Sequence, residues 1–262
     1  MPSFAPVTAA LRALEVLRAV NLLREATVTD VFKITGINRP TIVRMLETLV
    51  HAGYVIRNLD QPIYSPTGKT LALSSGYELH GEVGRIAGPI LADLRRLTRW
   101  PSDVAVFDGD AMVVVQTSRE QDRIFMNRRR GFRAPILGTS LGRAYIAFCS
   151  DEDRVRALAL AAKSTDPWDG PAHDPRQAAQ LIKRIRKRGF ATMHEDYSRR
   201  AYESSADSIG VPVLIGGVAA CAMNLMYLRE AMGAREAEER YLTPLRETAA
   251  RLASALAKIR PT

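Results

Sequence analysis

The strongest constraint on the fold of this chain is a series of three helical patterns within its first 66 residues. An amphipathic segment covers residues 11–20, and a second, shorter one covers residues 28–35. A compact turn at residues 36–38 begins with glycine, which commonly ends helices, and Pro40 then lies in the first turn of a third helix. This third helix has one apolar face, formed by Ile42, Met45, Leu46 and Leu49. The order predicts a small three-helix unit.

Polar residues on the outer side of the third helix, and two strand-like segments after it, complete a pattern typical of DNA-binding domains. Residues 54–57 and 62–65 read as short strands around a turn, which predicts a β-wing. A helix that has an apolar face towards the core and small polar residues at its N-terminal end fits the major groove of duplex DNA. We therefore predict a winged helix-turn-helix in residues 1–66. Its candidate DNA contacts are Arg39, Pro40, Thr41 and Arg44 on the third helix and Arg57 on the wing.

A less specific interpretation is that the three helices and the hairpin form an ordinary core whose arginines are merely solvated. Charge does not decide between the two interpretations, because residues 1–66 hold seven basic and five acidic side chains. The net charge of the whole chain is +9, and most of the surplus lies downstream. The ordered set of helices, glycine turn and wing is rarer than any of its parts, which favours double-stranded operator DNA as the partner.

Composition indicates a folded protein of a reducing compartment. The hydrophobic and charged fractions, 47% and 25%, are typical of soluble domains, and 262 residues are enough for two of them. No apolar run reaches the length of a membrane span, and residues 1–6 lack the layout of a secretory signal. Cys149 and Cys221 are far apart, and the four histidines show no metal-ligand spacing. We therefore expect a cytoplasmic protein without a metal, a cofactor or a membrane association.

Downstream of the wing, the pattern changes to mixed strands and helices. Residues 68–98 read as helical, but the glycines at 81–84 and the pair at 88–89 (Gly-Pro) predict two helices rather than one. Strands are predicted around an Asp-Gly-Asp turn at 108–110, at 123–127 and around Gly-Gly at 216–217, with helices between them. This order predicts an α+β domain. A leucine stripe on the last helix is typical of an oligomer seam, but Pro244 interrupts it, which favours a core-facing helix.

Several segments resemble the IclR family of bacterial transcriptional regulators. Residues 36–55 look like the recognition helix and wing start of that family, although residues 38–41 read Asn-Arg-Pro-Thr where Pro-Lys-Ser-Thr is usual. Residues 139–148 resemble the start of a helix in its effector domain, and residues 207–213 and 221–227 resemble its closing strands. The resemblance spans nearly the whole chain in order. It implies a regulator that binds operator DNA and responds to a small molecule.

The resemblance also implies an architecture and an effector class. It implies a winged helix-turn-helix in residues 1–66, a linker helix in residues 67–85 and a GAF-like α/β effector-binding domain in residues 86–262. Palindromic operators need paired helix-turn-helix units, so we expect at least a homodimer, and the family implies a dimer of dimers. Short strings at residues 100–104 and 224–227 look similar to regulators of hydroxyphenylpropionate and related aromatic-acid catabolism.

The candidate effector site lies at a helix start and on the last strand. A helix N-terminus offers N–H groups to a carboxylate, although Thr139 and Ser140 would also serve as a plain helix cap. Asn224 lies between apolar neighbours, so its buried amide needs a ligand group or a backbone carbonyl as partner. The resemblance brings both segments to the effector pocket. The predicted set is Met126, Thr139, Ser140, Leu141, Tyr202, Glu203, Ala222, Asn224 and Met226.

Two other classes of function compete with a regulator. The chain has no Gly-x-Ser-x-Gly elbow and no phosphate-cradling glycine loop, and both cysteines lie in apolar strings where a thiol packs rather than attacks. An architectural DNA-binding protein without an effector would agree with the diffuse positive charge. The sequence favours a regulator, not an enzyme, that senses a small aromatic carboxylic acid. A non-aromatic effector is the alternative.

Overall fold

The computed structural model describes residues 4–74, 78–119 and 129–259, and the chain divides into two compact units, Met1–Glu78 and Leu79–Thr262. The first unit contains three helices, a two-stranded antiparallel sheet and a short 3-10 helix. Their bounds are α1 (Thr8–Leu23), α2 (Val28–Thr35), α3 (Arg39–His51), β1 (Val55–Arg57), β2 (Tyr64–Pro66) and the 3-10 helix Gly68–Ser74. The predicted helix-turn-helix and wing are therefore confirmed.

Local hydrogen bonds explain why α2 and α3 begin and end where they do. Thr27 and Asp30 form a reciprocal capping box at the start of α2. Gly36 ends that helix in the left-handed region, with φ of +66°, which glycine adopts without a steric penalty. Asn38 Oδ1 then accepts the N–H of Thr41 at 3.0 Å and caps α3. The buried core shared by the three helices and the wing includes Val16, Val20, Val31, Ile42, Leu46, Val55 and Tyr64.

The second unit contains a six-stranded antiparallel sheet with helices on both faces. The sheet order is β5-β4-β3-β8-β7-β6. The element bounds are α4 (Glu78–Thr98), β3 (Ser102–Phe107), β4 (Ala111–Thr117), β5 (Arg133–Pro135), α5 (Ser140–Phe148), α6 (Asp151–Ala161), a 3-10 helix (Pro167–His173), α7 (Pro175–Arg188), β6 (Ala191–Thr192), α8 (Glu195–Tyr202), β7 (Ala206–Ile215), β8 (Val218–Leu228) and α9 (Ala234–Ala257). This mixed α+β class agrees with the prediction.

Strand β8 separates two apolar cores. Its residues Met223 and Leu225 pack in one core with α4 and α9, whereas Ala222 packs in the other core with α5. The leucine stripe of α9 belongs to the first core, with Leu245 and Leu252 fully buried. The stripe is therefore core-facing, as predicted.

The predicted break within residues 68–98 is wrong at both of its expected positions. Helix α4 runs without interruption from Glu78 to Thr98 and includes Pro89. An internal proline costs about 3 kcal/mol, but burial of one leucine side chain contributes about 1.5–3 kcal/mol. Because Ala87, Leu91 and Leu94 are all buried on the same helix face, packing outweighs the local preference.

The other strand predictions have different outcomes. The strand predicted at 123–127 lies outside the described residues, and the short strand β5 was not predicted. The hairpins at 108–110 and 216–217 are confirmed, because β3 pairs with β4 and β7 pairs with β8 on either side of them. Among the helices that the structure describes, none combines the length and the apolar character of a membrane-spanning segment.

Candidate functional site

The predicted DNA contacts lie on the solvent-accessible parts of α3 and the wing. Arg39 and Pro40 are exposed in the first turn of α3, Thr41 is half-buried beside them, and Arg44 is exposed one turn later. The structure thus brings four of the five residues together at one helix end. Arg57 is exposed at the end of β1, on a separate element of the same unit.

Two of the three arginines in this set are oriented by aromatic rings. The Arg39 guanidinium lies 5.4 Å from the ring centre of Phe32, and that of Arg57 lies 5.9 Å from the ring centre of Tyr64. Cation–π contacts orient a guanidinium without neutralising its charge, so both remain able to bind phosphate. The Arg44 guanidinium has no hydrogen bond or ion pair to any residue in the described part of the chain, so its donors are available to an external acceptor.

The start of α5 is capped by Thr139 and rests directly on β7. Thr139 Oγ1 accepts the N–H of Gly142 at 3.1 Å and donates to the carbonyl of Pro135 at 2.9 Å. Ser140 Oγ instead hydrogen-bonds Ser208 Oγ at 2.7 Å, and both serines are fully buried. Thr139 is therefore a helix cap, while Ser140 joins the helix start to the sheet.

Asn224 lies beside this junction and keeps one buried donor without a partner. Its Oδ1 accepts the backbone N–H of Asp103 at 2.9 Å, which fixes the orientation of the amide. Its Nδ2 has no hydrogen-bond partner among the described residues, and the side chain is fully buried. On the neighbouring strand, Gly210 faces Asn224 and Ser208 faces Met226. The helix start and the last strand therefore meet, and a buried N–H₂ group there needs an acceptor.

An apolar cluster with a second unpartnered donor adjoins Met226. The cluster contains Trp168, Met193, Tyr197, Ala206 and Met226, and Tyr202 packs against it. Trp168 and Tyr197 meet edge to face, with ring centres 5.1 Å apart. Trp168 Nε1 is buried and has no partner among the described residues. Sequence reasoning missed Trp168, because nothing local connects it to residues far along the chain.

The remaining predicted effector residues are less close to this junction. Leu141 and Ala222 are fully buried in the core between α5 and the sheet. Glu203 is exposed at the end of α8, in a backbone conformation with φ of +51°. Met126 lies outside the described residues. The structure therefore brings Thr139, Ser140, Asn224, Met226 and Tyr202 to one region, and Glu203 faces solvent.

A buried ion pair lies against the same region and was not predicted. Arg119 donates to both carboxylate oxygens of Asp103, at 3.2 and 2.9 Å, and the side chains are 6% and 0% exposed. A second contact of Arg119 reaches the sulfur of Met226 at 2.9 Å. The available sequence signal was a carboxylate at the start of the otherwise apolar strand β3. A fully buried charge normally requires a paired opposite charge.

A partly buried cation, Arg143, lies one turn into α5. Burial, followed by repulsion from Arg184, lowers the pKa of Arg143 to about 10. Burial, followed by repulsion from Arg143, lowers the pKa of His194 below its ordinary value. On β7, burial raises the pKa of Asp207 although Arg229 lies 3.3 Å away. Arg143 is therefore a partly buried cation close to His194 and Asp207, and its charge is favourable to an anion.

Comparison with known proteins supports this organisation. Residues 9–58 match the model of the IclR helix-turn-helix domain, and residues 78–254 match that of the bacterial transcriptional regulator IclR C-terminal domain. The HTH-type transcriptional regulator KdgR of Escherichia coli (strain K12) is 24% identical over 207 residues, covering 79% of this chain and 76% of KdgR. The regulator XynR of the same organism is 23% identical over 205 residues, 77% of this chain and 78% of XynR.

Solved structures show the same fold. The Thermotoga maritima IclR superposes with a TM-score of 0.68 at 21% identity, covering 95% of this chain and 98% of that protein. An IclR homolog from Microbacterium hydrocarbonoxydans, solved in complex with 4-hydroxybenzoate, also gives 0.68, at 20% identity and coverage of 95% and 99%. Because the C-terminal model alone covers more than half of the residues, the chain belongs to the IclR family of bacterial transcriptional regulators.

Proposed function

We propose that this cytoplasmic regulator binds operator DNA through α3 and the wing and responds to a small aromatic carboxylic acid bound between α5 and β8. Residues 67–85 are the proposed linker between residues 1–66 and 86–262. The observation that carries the effector proposal is the Nδ2 of Asn224, which is fully buried beside the start of α5 and has no hydrogen-bond partner among the described residues. The protein acts as a homodimer or a dimer of dimers, because a two-fold operator needs paired recognition helices.

The chemistry of the region supports an acid with an aromatic ring. Asn224 and Trp168 each offer a buried N–H donor, and a hydrogen bond to a charged acceptor contributes about 1.5–3 kcal/mol. Met226 and Tyr197 supply sulfur and ring surfaces that favour an aromatic partner. The 4-hydroxybenzoate in the Microbacterium homolog agrees with this chemistry. The similarity to KdgR and XynR makes non-aromatic acids the comparison class in the test.

Thermal unfolding with a panel of acids tests the effector proposal. Benzoate and 4-hydroxybenzoate represent the aromatic class, and pyruvate and gluconate represent the aliphatic class. A ligand at a hundredfold excess over its Kd stabilises the native state by about 2.7 kcal/mol. We expect Asn224→Leu to weaken binding of the aromatic acid by about 10- to 100-fold, since a buried acceptor loses its donor. Titration calorimetry gives the Kd of each variant.

Met223→Leu is the matched control, because Met223 is on the same strand but faces the other core. Its Kd should equal that of the parent protein. If only aliphatic acids stabilise the protein, the aromatic part of the proposal is wrong. If Asn224→Leu binds the acid with the parent affinity, the location of the site is wrong.

Recognition of DNA is tested by separating sequence preference from general affinity. A duplex selected from a random library serves as the operator, and an unrelated duplex is the reference. We expect Arg44→Gln to reduce the ratio of the two affinities by about 10- to 100-fold, because a lost base contact relaxes specificity. Arg57→Gln should weaken binding to both duplexes by the same factor. It should also reduce the magnitude of the slope of log K against log salt by about one.

Arg235→Gln on α9 is the control for the DNA experiment, because it removes the same charge from an exposed position in the other unit. It should leave the affinity ratio unchanged. An Arg44→Gln protein that discriminates the two duplexes as well as the parent does would remove Arg44 from the base-reading set.

A further inference from the structure

Most of the positive charge of the chain lies outside its DNA-binding unit. Met1–Glu78 holds eight basic and six acidic side chains, a surplus of two in a chain whose net charge is +9. Leu79–Thr262 therefore carries the remaining +7. Its densest basic element is α7, whose 14 residues include six basic side chains and no acidic one.

Helix α7 is held firmly in the fold by its apolar side. Ala178, Leu181 and Ile185 are buried at helical spacing. Lys183, Arg184 and Lys187 lie on the exposed side within little more than one turn, and these three residues are called the basic face below. Because the helix is firmly packed, the spacing of the three side chains is fixed. The backbone of these residues is therefore already ordered before a polyanion binds.

The basic face is not neutralised within the described part of the protein. Its three side chains have no hydrogen bond or ion pair to any described residue. Neighbouring arginines of α7 are engaged, since Arg186 donates to the carbonyl of Ala147 at 2.6 Å and Arg188 pairs with Glu238 at 3.3 Å. The positive field is also felt at Arg143, whose depressed pKa is caused partly by Arg184.

The exposed side of helix α9 shows how solvated charges are arranged on another helix of this chain. Arg235 pairs with Glu239 and Arg240 pairs with Glu236, both four residues apart. Such pairs stabilise a helix, whereas like charges at the same spacing destabilise it by a similar amount. Lys183 and Lys187 are four residues apart with the same sign. The arrangement on α7 therefore opposes local helix stability and is favourable only towards an external anion.

We propose that the basic face of α7 binds the phosphate backbone of duplex DNA without regard to sequence, as a contact additional to α3 and the wing. Lysine and arginine gain affinity by displacing counterions from phosphates. The exposed helix positions around the face are occupied by Gln177, Ala179 and Gln180, so the face has no aromatic residue for stacking on single strands and no large exposed apolar residue for entry into a membrane. Duplex DNA is the polyanion that a regulator of this family binds.

The salt dependence of binding to a random-sequence duplex tests the proposal, because non-specific affinity comes almost entirely from phosphate contacts. The full-length variant carries Lys183→Gln, Arg184→Gln and Lys187→Gln. The slope of log K against log salt is negative, and each lost phosphate contact reduces its magnitude by about 0.9. We therefore expect the magnitude to fall by about 2.7 for three contacts.

The matched control carries Arg235→Gln, Arg240→Gln and Arg251→Gln on α9, which changes the net charge by the same amount. We expect the slope of this control to change by less than about 0.9, which is the change caused by the loss of one phosphate contact. Circular dichroism and thermal unfolding check that both triple variants are folded. A second variant, Lys183→Arg with Lys187→Arg, preserves the charge and should keep the parent slope.

Equal slopes for the two triple variants would overturn the proposal, because the effect would then be one of net charge alone. A parent slope in the charge-preserving variant and a reduced slope in the α7 triple variant support it. Tighter binding of the basic face to anionic vesicles than to the duplex would also overturn it in favour of a membrane. The recognition-helix experiment reports separately, because Arg44→Gln changes the affinity ratio of two duplexes rather than the salt slope.

Discussion

Replacement of Arg119 with leucine is expected to lower the free energy of unfolding by about 3–5 kcal/mol. The reason is that Asp103, whose side chain is fully buried, would lose the cation that contacts both of its oxygens. The carboxylate would keep the cost of its desolvation but lose the attraction and the two hydrogen bonds of this guanidinium. Urea unfolding, followed by tryptophan fluorescence at a fixed protein concentration, measures the change.

The double variant Asp103→Leu with Arg119→Leu is the control for this prediction. Removing both members of the pair also removes the desolvation cost of both charges, and such exchanges are often neutral or stabilising. We expect the double variant to be more stable than the Arg119→Leu variant. A loss of less than about 1 kcal/mol in the single variant would contradict the prediction, since that is the range of exposed ion pairs.

Replacement of Gly142 with alanine is expected to destabilise the protein by about 3 kcal/mol, the upper end of the usual range for overpacking. Alanine normally favours a helix over glycine, but a Cβ at position 142 would overlap the backbone of Ile136. Backbone atoms cannot move aside as the end of a flexible side chain can. Gly142 is also the residue whose N–H is capped by Thr139, so a shift there disturbs the helix start at the proposed effector site.

Gly81→Ala provides a control with the opposite sign. Gly81 is also in a helix, α4, but a Cβ at that position meets nothing within 4 Å. We expect it to stabilise the protein by about 0.5–1 kcal/mol, because alanine loses less conformational entropy on folding. If both substitutions change the unfolding midpoint in the same direction, close packing at Gly142 is not the deciding factor.

The proposed site explains how a ligand could change the stability of the effector unit. An unpartnered buried donor costs about 1–3 kcal/mol in the free protein, and within the described part of the chain Asn224 and Trp168 each have one. A carboxylate that accepts from either residue removes this cost. The ligand thus binds the ordered site more tightly than a state in which the site is not formed. Such a difference in binding free energy between two states is the physical requirement for a response.

Much of the fold was predictable because its signals act over short stretches of chain. The capped helices of the helix-turn-helix, the left-handed Gly36 and the hairpin at Gly216-Gly217 all depend on neighbours within a few residues. Periodicity also identified the buried side of α3 and of α9. For the same reason the order of elements, and the family they belong to, could be predicted before any contact was known.

The composition of the site was decided only by tertiary contacts. Ser140 meets Ser208 across 68 positions, Asp103 meets Asn224 across 121, and β3 pairs with β8. A local pattern contains no information on which distant strand becomes a neighbour, so Trp168 and Arg119 were not predicted. The continuity of α4 through Pro89 has the same origin, because burial of its apolar face outweighs the local cost of proline. The sequence by itself determined most of the elements and the family, whereas long-range packing decided which polar groups were buried together and which of them had no partner among the described residues.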